Sequence, residues 1–429
     1  MAFYLINRLA RLGKSLLKAL LTLLLALLIL AFLYVAFNTP LTSSVRKLSN
    51  EELQTYTKYL DTSLSEPQHF VAEKFDRYDV VLLGEMHWKR QDVEFVNKLI
   101  PYLYRTKGIK IFAWEYGASD FQSEADSLIN APKFDRKRAI AFSRRSYFAW
   151  NFEEYLDIIR TIWEINQSIP NGQEKFTFLQ LGSDYNPRKL QSPDIAVQRK
   201  ERRRYAYDEK MGKIVEREVL RKHQKALWYS GLHHAFTQYK QPLFLFLKAR
   251  GVRGGEYLYQ RFERIYMIQL YLPFVNRLVL PKYFVPSIFG KRLTFVYPFR
   301  GAFEQVYREY KKPFAVDTKN SVFGDLEDTH GYYSMDRWGG LKLREMCDGY
   351  IVLCSIDEME PVSLVPDWVT NEAELEEVKS ILPPEDAARM KDIPTLLKYL
   401  EGETQRSQVK EMRNLGNRSN APWRWSNPP

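Results

Sequence analysis

The sequence predicts an α/β fold, a mostly parallel central sheet flanked by helices, with an N-terminal transmembrane helix and an aromatic-rich insertion. Three observations predict it. Short apolar runs occur at residues 80–83, 111–114, 176–182 and 226–229. Segments of helical spacing lie between them, so strands alternate with helices in the order of βαβ units. Each run also ends on or just before an acidic or imidazole side chain: Glu85 and His87, Glu115, Asp184, and His233 with His234. In an open parallel sheet, ligands bind in the crevice outside the strand C-termini, so residues more than a hundred positions apart are expected to share one site.

The first element is apolar. Residues 19–37 are uninterrupted by charge, with Thr22 the one polar side chain, and Leu16 and Leu17 extend the run. That is the length needed to cross a hydrocarbon core as a helix, whereas the apolar part of a cleaved signal peptide is about 7 to 15 residues. We therefore read 16–37 as an uncleaved anchor and 1–15 as a basic cytoplasmic tail. Arg8, Arg11, Lys14 and Lys18 precede or open the run, and the positive-inside rule then places the main domain outside the cytoplasm. The expectation is a single-pass protein of the cell membrane.

Residues 38–68 read as a polar stalk with one short helix, and residues 69–370 as the α/β body. In that body Val93, Val96, Leu99, Ile100 and Leu103 mark the helix after the first strand, and Phe121, Ala125, Leu128 and Ile129 the one after the second. Tyr155, Ile158, Ile159, Ile162 and Trp163 mark a helix leading into the third strand; Met211, Ile214, Val215 and Val219 mark another leading into the fourth. Later strands are expected at 266–272 and 350–355. Between them, 273–313 is rich in Phe and Tyr and broken by Pro273, Pro281 and Pro286. It reads as an insertion that caps the site, rests on the bilayer or forms a satellite core. Residues 371–402 read as a helical C-terminal extension and 403–429 as a disordered polar tail.

The formal charge of +11 is spread along the chain without a nucleic-acid-binding motif, so nucleic acid is not an expected partner; a basic surface beside anionic lipid accounts for it. Cys347 and Cys354 flank a strand that would hold them roughly 20 Å apart, beyond disulfide reach, and they read as free thiols. The chain lacks a G-x-S-x-G elbow, an H-E-x-x-H helix, a paired-cysteine zinc motif and a P-loop. What remains is Glu85, Glu115, His87, His233 and His234. This mixture suits a divalent metal with an open position for water, or metal-free acid/base hydrolysis.

Two G-x-x-H elements, Gly84-Glu85-Met86-His87 and Gly231-Leu232-His233-His234, resemble those of the superfamily joining ChaN-like haem-uptake proteins, Tiki/TraB-type metalloproteases and erythromycin esterases. The block Trp114-Glu115-Tyr116-Gly117 with Gln122 and Asp126, the stretch from Trp150-Asn151-Phe152-Glu153 to Gly182-Ser183-Asp184, and the segment from Arg204 through Met211 to Trp228 are similar to the esterase branch in order and spacing. Asp348-Gly349-Tyr350-Ile351-Val352 resembles its closing strand. The resemblance covers about residues 75–365. Glu85 and His87 are separated by Met86 alone, which is closer to the ChaN-like pattern. Counting from Trp228 selects His233, and counting from Gly231 selects His234, the preferred one.

The resemblance implies a pocket lined by Glu85, His87, Glu115 and the second-motif histidine. In it Glu85 or Glu115 activates a water; His87 and His234, with Glu115, ligate a metal, or the two histidines polarise and protonate the substrate; Asp184 orients one histidine. The expected function is hydrolysis of an ester or amide bond in a small-molecule or peptide substrate. The alternative is a haem- or iron-binding protein of ChaN-like type.

Overall fold

The computed structural model describes residues 2–38, 45–63, 65–146, 150–183, 186–205, 208–241, 252–275, 295–334, 340–403, 409–410 and 412–414. Seven strands form the central sheet: β1 (Val80–Glu85), β2 (Ile111–Ala118), β3 (Thr177–Gly182), β4 (Ala226–Gly231), β5 (Ile265–Leu270), β8 (Phe314–Asp317) and β11 (Gly349–Val352). Two small pairs accompany it, β6 (Phe274–Val275) with β7 (Phe295–Val296), and β9 (Glu327–Asp328) with β10 (Leu341–Lys342). The order is β3-β2-β4-β1-β5-β11-β8, parallel throughout except that β8 runs against β11. The mostly parallel sheet flanked by helices is thus present, with a reversed edge strand that the sequence reading did not include.

The continuous apolar runs make these strands because both sheet faces are covered. Pleating sends alternate side chains to opposite faces. Val81, Leu83, Phe112, Leu227, Tyr229 and Ile268 join one core with helices Arg90–Lys107 and Glu153–Ser168. Val80, Leu82, Ala113, Trp228 and Met267 join the other with helix Ala302–Tyr310. Side chains such as Leu82 and Leu83 have no exposed surface, and each contributes about 1.5–3 kcal/mol by burial. Register brings the chemistry together: Glu85 lies opposite Gly231, and Trp114 lies opposite Tyr229.

The N-terminal helix Ala2–Asn38 contains a fully exposed span, Gly13–Ala31, long and apolar enough to cross a membrane. The segment read as a stalk is not free of the body. Val45, Leu48 and Leu60 are buried, Arg46 N–H donates to the Arg300 carbonyl (3.0 Å), and Leu48 N–H donates to Gln305 Oε1 (2.9 Å). Helix Asn50–Thr62 opens on a Ser49 capping box with Glu52. Parts of the expected insertion also belong to the body: Phe299, Phe303 and Val306 are buried, while 276–294 lie outside the described residues. The C-terminal extension forms helices Glu372–Ile381, Pro384–Arg389 and Ile393–Glu403, whose Leu375, Val378, Leu396 and Leu400 complete the first core. Most of the expected tail lies outside the described residues.

Candidate functional site

The turn after β1 carries the first motif. Gly84 lies against Leu232 and Ala235, so close that a Cβ there would meet them at 3.0–3.2 Å. Trp88 closes the turn with φ of 72°, a left-handed conformation that costs a bulky residue on the order of 1–3 kcal/mol. The neighbouring chain holds it there: Val362 N–H donates to the Trp88 carbonyl (2.9 Å), and Arg90 N–H donates to the Glu360 carbonyl (2.8 Å). Below it Lys89 is buried, paired with Asp92 (2.6 Å) and donating to the Tyr271 carbonyl (2.6 Å). Burial pushes the Asp92 carboxyl up, Lys89 offsets part of this, and it stands at about 7.

Glu85 is buried at the end of β1 and is saturated with donors. Oε1 accepts from the hydroxyls of Tyr116 and Tyr155 (2.7 Å for Tyr155) and from His87 Nδ1 (3.0 Å), while Oε2 accepts from Tyr229. Burial first, then the nearby Glu85 charge, holds all three phenols well above their ordinary range, so they stay neutral donors. With Nδ1 donating to Glu85, the His87 lone pair is on Nε2. Trp88, Trp150 and Tyr116 wall the ring, with centroids 5.3, 5.0 and 5.6 Å away. Trp150 in turn stacks on Tyr116 at 4.5 Å.

The second motif supplies the opposite wall. A Cβ on Gly231 would stand 2.6 Å from His87 Cε1, 2.9 Å from His87 Nε2 and 3.3 Å from Glu115 Oε2. Glycine is required there because the imidazole of the first motif occupies that space. Glu115 accepts from the Gly231 N–H through Oε2 and pairs with His234 Nε2 through Oε1 (3.1 Å). His234 Nδ1 pairs with Asp208 (3.0 Å), and Asp208 also takes Arg253 (2.6 Å) and the Gly254 N–H (3.1 Å).

These contacts fix the charges. Burial alone would lower the His234 pKa; Glu115 and Asp208 outweigh it and push it up to about 10. Burial would raise Glu115; His234, His87 and the Gly231 N–H outweigh it and bring it to about 2. Asp208 is likewise lowered, burial being overcome by His234 and Arg253. The result is an alternating array of carboxylate, imidazolium, carboxylate and guanidinium.

Of the residues singled out from sequence, Glu85, His87, Glu115 and His234 come together. His233 turns away, with Nε2 3.1 Å from the Tyr333 hydroxyl, so the count from Gly231 identifies the histidine that meets Glu115. Asp184 lies outside the described residues. Asp208, not singled out from sequence, is the carboxylate that meets His234; it stands at the start of helix Glu209–Glu218, away from any strand end that would announce it. Tyr116 and Tyr229 were legible in principle. They sit at the ends of β2 and β4 with the same facing parity as Glu85 on β1.

The expected metal set of His87, His234 and Glu115 does not fit. A ligating imidazole needs a free lone pair. Both ring nitrogens of His234 are engaged by carboxylates, and among the described residues no group of three or more His, Cys, Asp or Glu side chains is placed to hold an ion. A cavity of about 680 Å³ lies elsewhere, between helices Arg90–Lys107 and Glu153–Ser168, lined by Asn97, Tyr104 and Thr161.

No family model matches the chain, and no curated protein matches it in sequence. Solved structures do resemble it. One is described as a succinoglycan biosynthesis protein, 11% identical over 74% of this chain and 100% of that one, with a TM-score of 0.47. Another is an erythromycin esterase variant in its open conformation, 12% identical over 70% and 96%, with a TM-score of 0.44. A third is a haem-bound ChaN of Campylobacter jejuni, 14% identical over 47% and 85%, with a TM-score of 0.32.

Proposed function

We propose that this chain is a membrane-anchored hydrolase of an ester or amide bond, with its main domain outside the cytoplasm and a small-molecule or peptide substrate. The observation that carries the reading is the approach of His87 Nε2 and Glu115 Oε2 to one point beside Gly231. Glu85, filled by three hydroxyls and His87, has no capacity left to take a proton from water; it fixes the His87 tautomer and stabilises the imidazolium that forms. Glu115 is ionised and has lone pairs beyond those used by Gly231 and His234. In this mechanism Glu115 orients a water, His87 Nε2 removes its proton as the oxygen attacks the carbonyl carbon, and the same proton passes to the leaving group. Asp208 and Arg253 hold the His234 imidazolium that keeps Glu115 ionised.

A second reading, haem binding, is favoured by one observation: the aromatic wall of Trp88, Trp150 and Tyr116 around His87 suits a planar ligand. The buried tyrosines are poor ligands for iron, since each donates its proton to Glu85. Titration with haemin separates the two. A Soret shift abolished by His87→Ala supports haem binding; no shift, together with turnover of nitrophenyl esters by the unmodified protein, supports hydrolysis.

A further inference from the structure

The two tryptophans that wall His87 come from separate elements, and one short segment joins them. Trp88 closes the turn before helix Arg90–Lys107, and Trp150 stands just ahead of helix Glu153–Ser168. Their ring centroids lie 5.7 Å apart. Residues 360–365 run antiparallel to both stretches, with Pro361 opposite Lys89 and Leu364 opposite Phe152. Beyond the two bonds already described at the Trp88 turn, Val365 N–H donates to the Asn151 carbonyl (2.9 Å) and Glu153 N–H to the Ser363 carbonyl (3.0 Å). The bonds at each bridge come from its flanking residues, so Pro361, which has no N–H, loses none of them. Val362 and Val365 are buried in the first core and anchor this strap.

Side chains lock the same junction. Arg90 is the first residue of its helix, where the macrodipole disfavours a cation, so its charge serves its partners rather than the helix. Nε donates to Glu154 Oε1 (3.1 Å), Nη1 to Glu360 Oε2 (2.5 Å) and Nη2 to Ser363 Oγ (3.1 Å). A rigid guanidinium fork can meet three separate acceptors in this way, whereas a lysine ammonium is a point charge on a flexible stem. Glu154 is buried, and its Oε2 accepts the Ser363 N–H (2.8 Å). The next residue, Tyr155, sends its hydroxyl to Glu85, the carboxylate that holds His87 Nδ1. The helix that Arg90 grips through Glu154 is therefore one that supplies a donor to the site. Farther along, Arg144 ties the chain again, donating to the Trp368 carbonyl (2.6 Å) and to Glu377 (3.0 Å) in helix Glu372–Ile381.

We propose that Arg90 and Glu154 are positioning residues of the site: by locking residues 360–365 across the two stretches, they hold Trp88, Trp150 and Tyr155 in place around His87 and Glu85. In its effect on rate this rests on the hydrolase reading and deepens it; in its effect on the placement of the rings it stands apart from that reading.

The full-length protein in detergent micelles gives two independent readouts. Indoles in contact couple their excited states, so the Trp88–Trp150 pair contributes an exciton couplet to the far-ultraviolet circular dichroism, identified as the part lost in both Trp88→Phe and Trp150→Phe. Arg90→Met and Arg90→Lys are each expected to weaken this couplet and to lower kcat on an ester by ~10–100-fold, the scale of loss when a group is displaced by about 1 Å from outside the chemistry. Glu377→Ala, which removes the Arg144 tie instead, is expected to lower the denaturation midpoint while leaving the couplet and kcat unchanged. If Arg90→Met fails to fold, Glu154→Gln carries the same expectation, since it keeps an acceptor for the Ser363 N–H and removes the charge facing Arg90. A full couplet in the folded Arg90 or Glu154 variants, full kcat despite a lost couplet, or Glu377→Ala matching them in both readouts would each overturn the proposal, as would a spectrum indifferent to both tryptophan substitutions. Absence of turnover in the unmodified chain would overturn the hydrolase reading instead, and the couplet alone then decides whether Arg90 and Glu154 place the rings.

Discussion

His234 offers the sharpest quantitative prediction, and Asp208→Asn is the perturbation that isolates it. Held between Glu115 and Asp208, its pKa rises from 6.5 to about 10. At 1.36 kcal/mol per unit, the rise corresponds to about 5 kcal/mol favouring the imidazolium. The carboxamide introduced by the substitution would keep an acceptor for His234 Nδ1 but lose the charge. A hydrogen bond to a charged group contributes ~1.5–3 kcal/mol and a neutral one ~0.5–1.5, so the substitution removes ~1–2 kcal/mol, equivalent to a fall of about one pKa unit. The chain has six histidines, few enough for histidine-selective labelling and NMR titration, with His234→Gln assigning the resonance. The expected outcome is a ring that stays protonated past pH 8 in the unmodified protein and titrates lower in Asp208→Asn. A His234 resonance titrating near its ordinary value, or one indifferent to Asp208, would refute the charge array.

Three further outcomes follow from the same contacts. The Glu115–His234 pair gives a stability term with two pH limits. From the His234 side it is complete below the unfolded value of 6.5 and lost as pH rises through about 10; from the Glu115 side it is complete above 4.5 and lost as pH falls through about 2. Denaturation across pH should therefore show this term flattened in Glu115→Gln. Gly231→Ala forces a Cβ to 2.6 Å from the His87 ring and is expected to cost ~1–3 kcal/mol in chemical denaturation while abolishing turnover; unchanged activity would reject the close approach. Glu85→Gln turns an acceptor-only group into one with two N–H donors among hydroxyls that also donate, and a loss of ~1–3 kcal/mol is expected in thermal denaturation; unchanged stability would reject the saturated carboxylate.

The sheet was legible because its strands are buried on both faces and so read as unbroken apolar runs; Val80 to Leu83 needs no further context. β8 was not legible, since Phe314-Ala315-Val316 is short, follows Pro313 and gains its place only by pairing with β11. The site divides in the same way. Glu85, His87, Glu115 and His234 announce themselves as polar groups at strand ends, a position the sequence marks. Asp208 and Arg253 come from loops, and their convergence on His234 depends on how helix Gly254–Tyr259 packs, with Gly254 against the Trp228 ring and Gly255 against the carbonyls of Ala235 and Phe236. Those glycines permit the close helix approach, since a Cβ on either would stand within 3 Å of these atoms. Long-range packing of this kind has no local signature in the chain.

The most direct test of the account is turnover of a panel of carboxylic esters by the full-length protein and its His87→Ala variant, with circular dichroism establishing that both are folded. The account predicts cleavage by the unmodified chain that His87→Ala eliminates. Cleavage that survives in folded His87→Ala would contradict it.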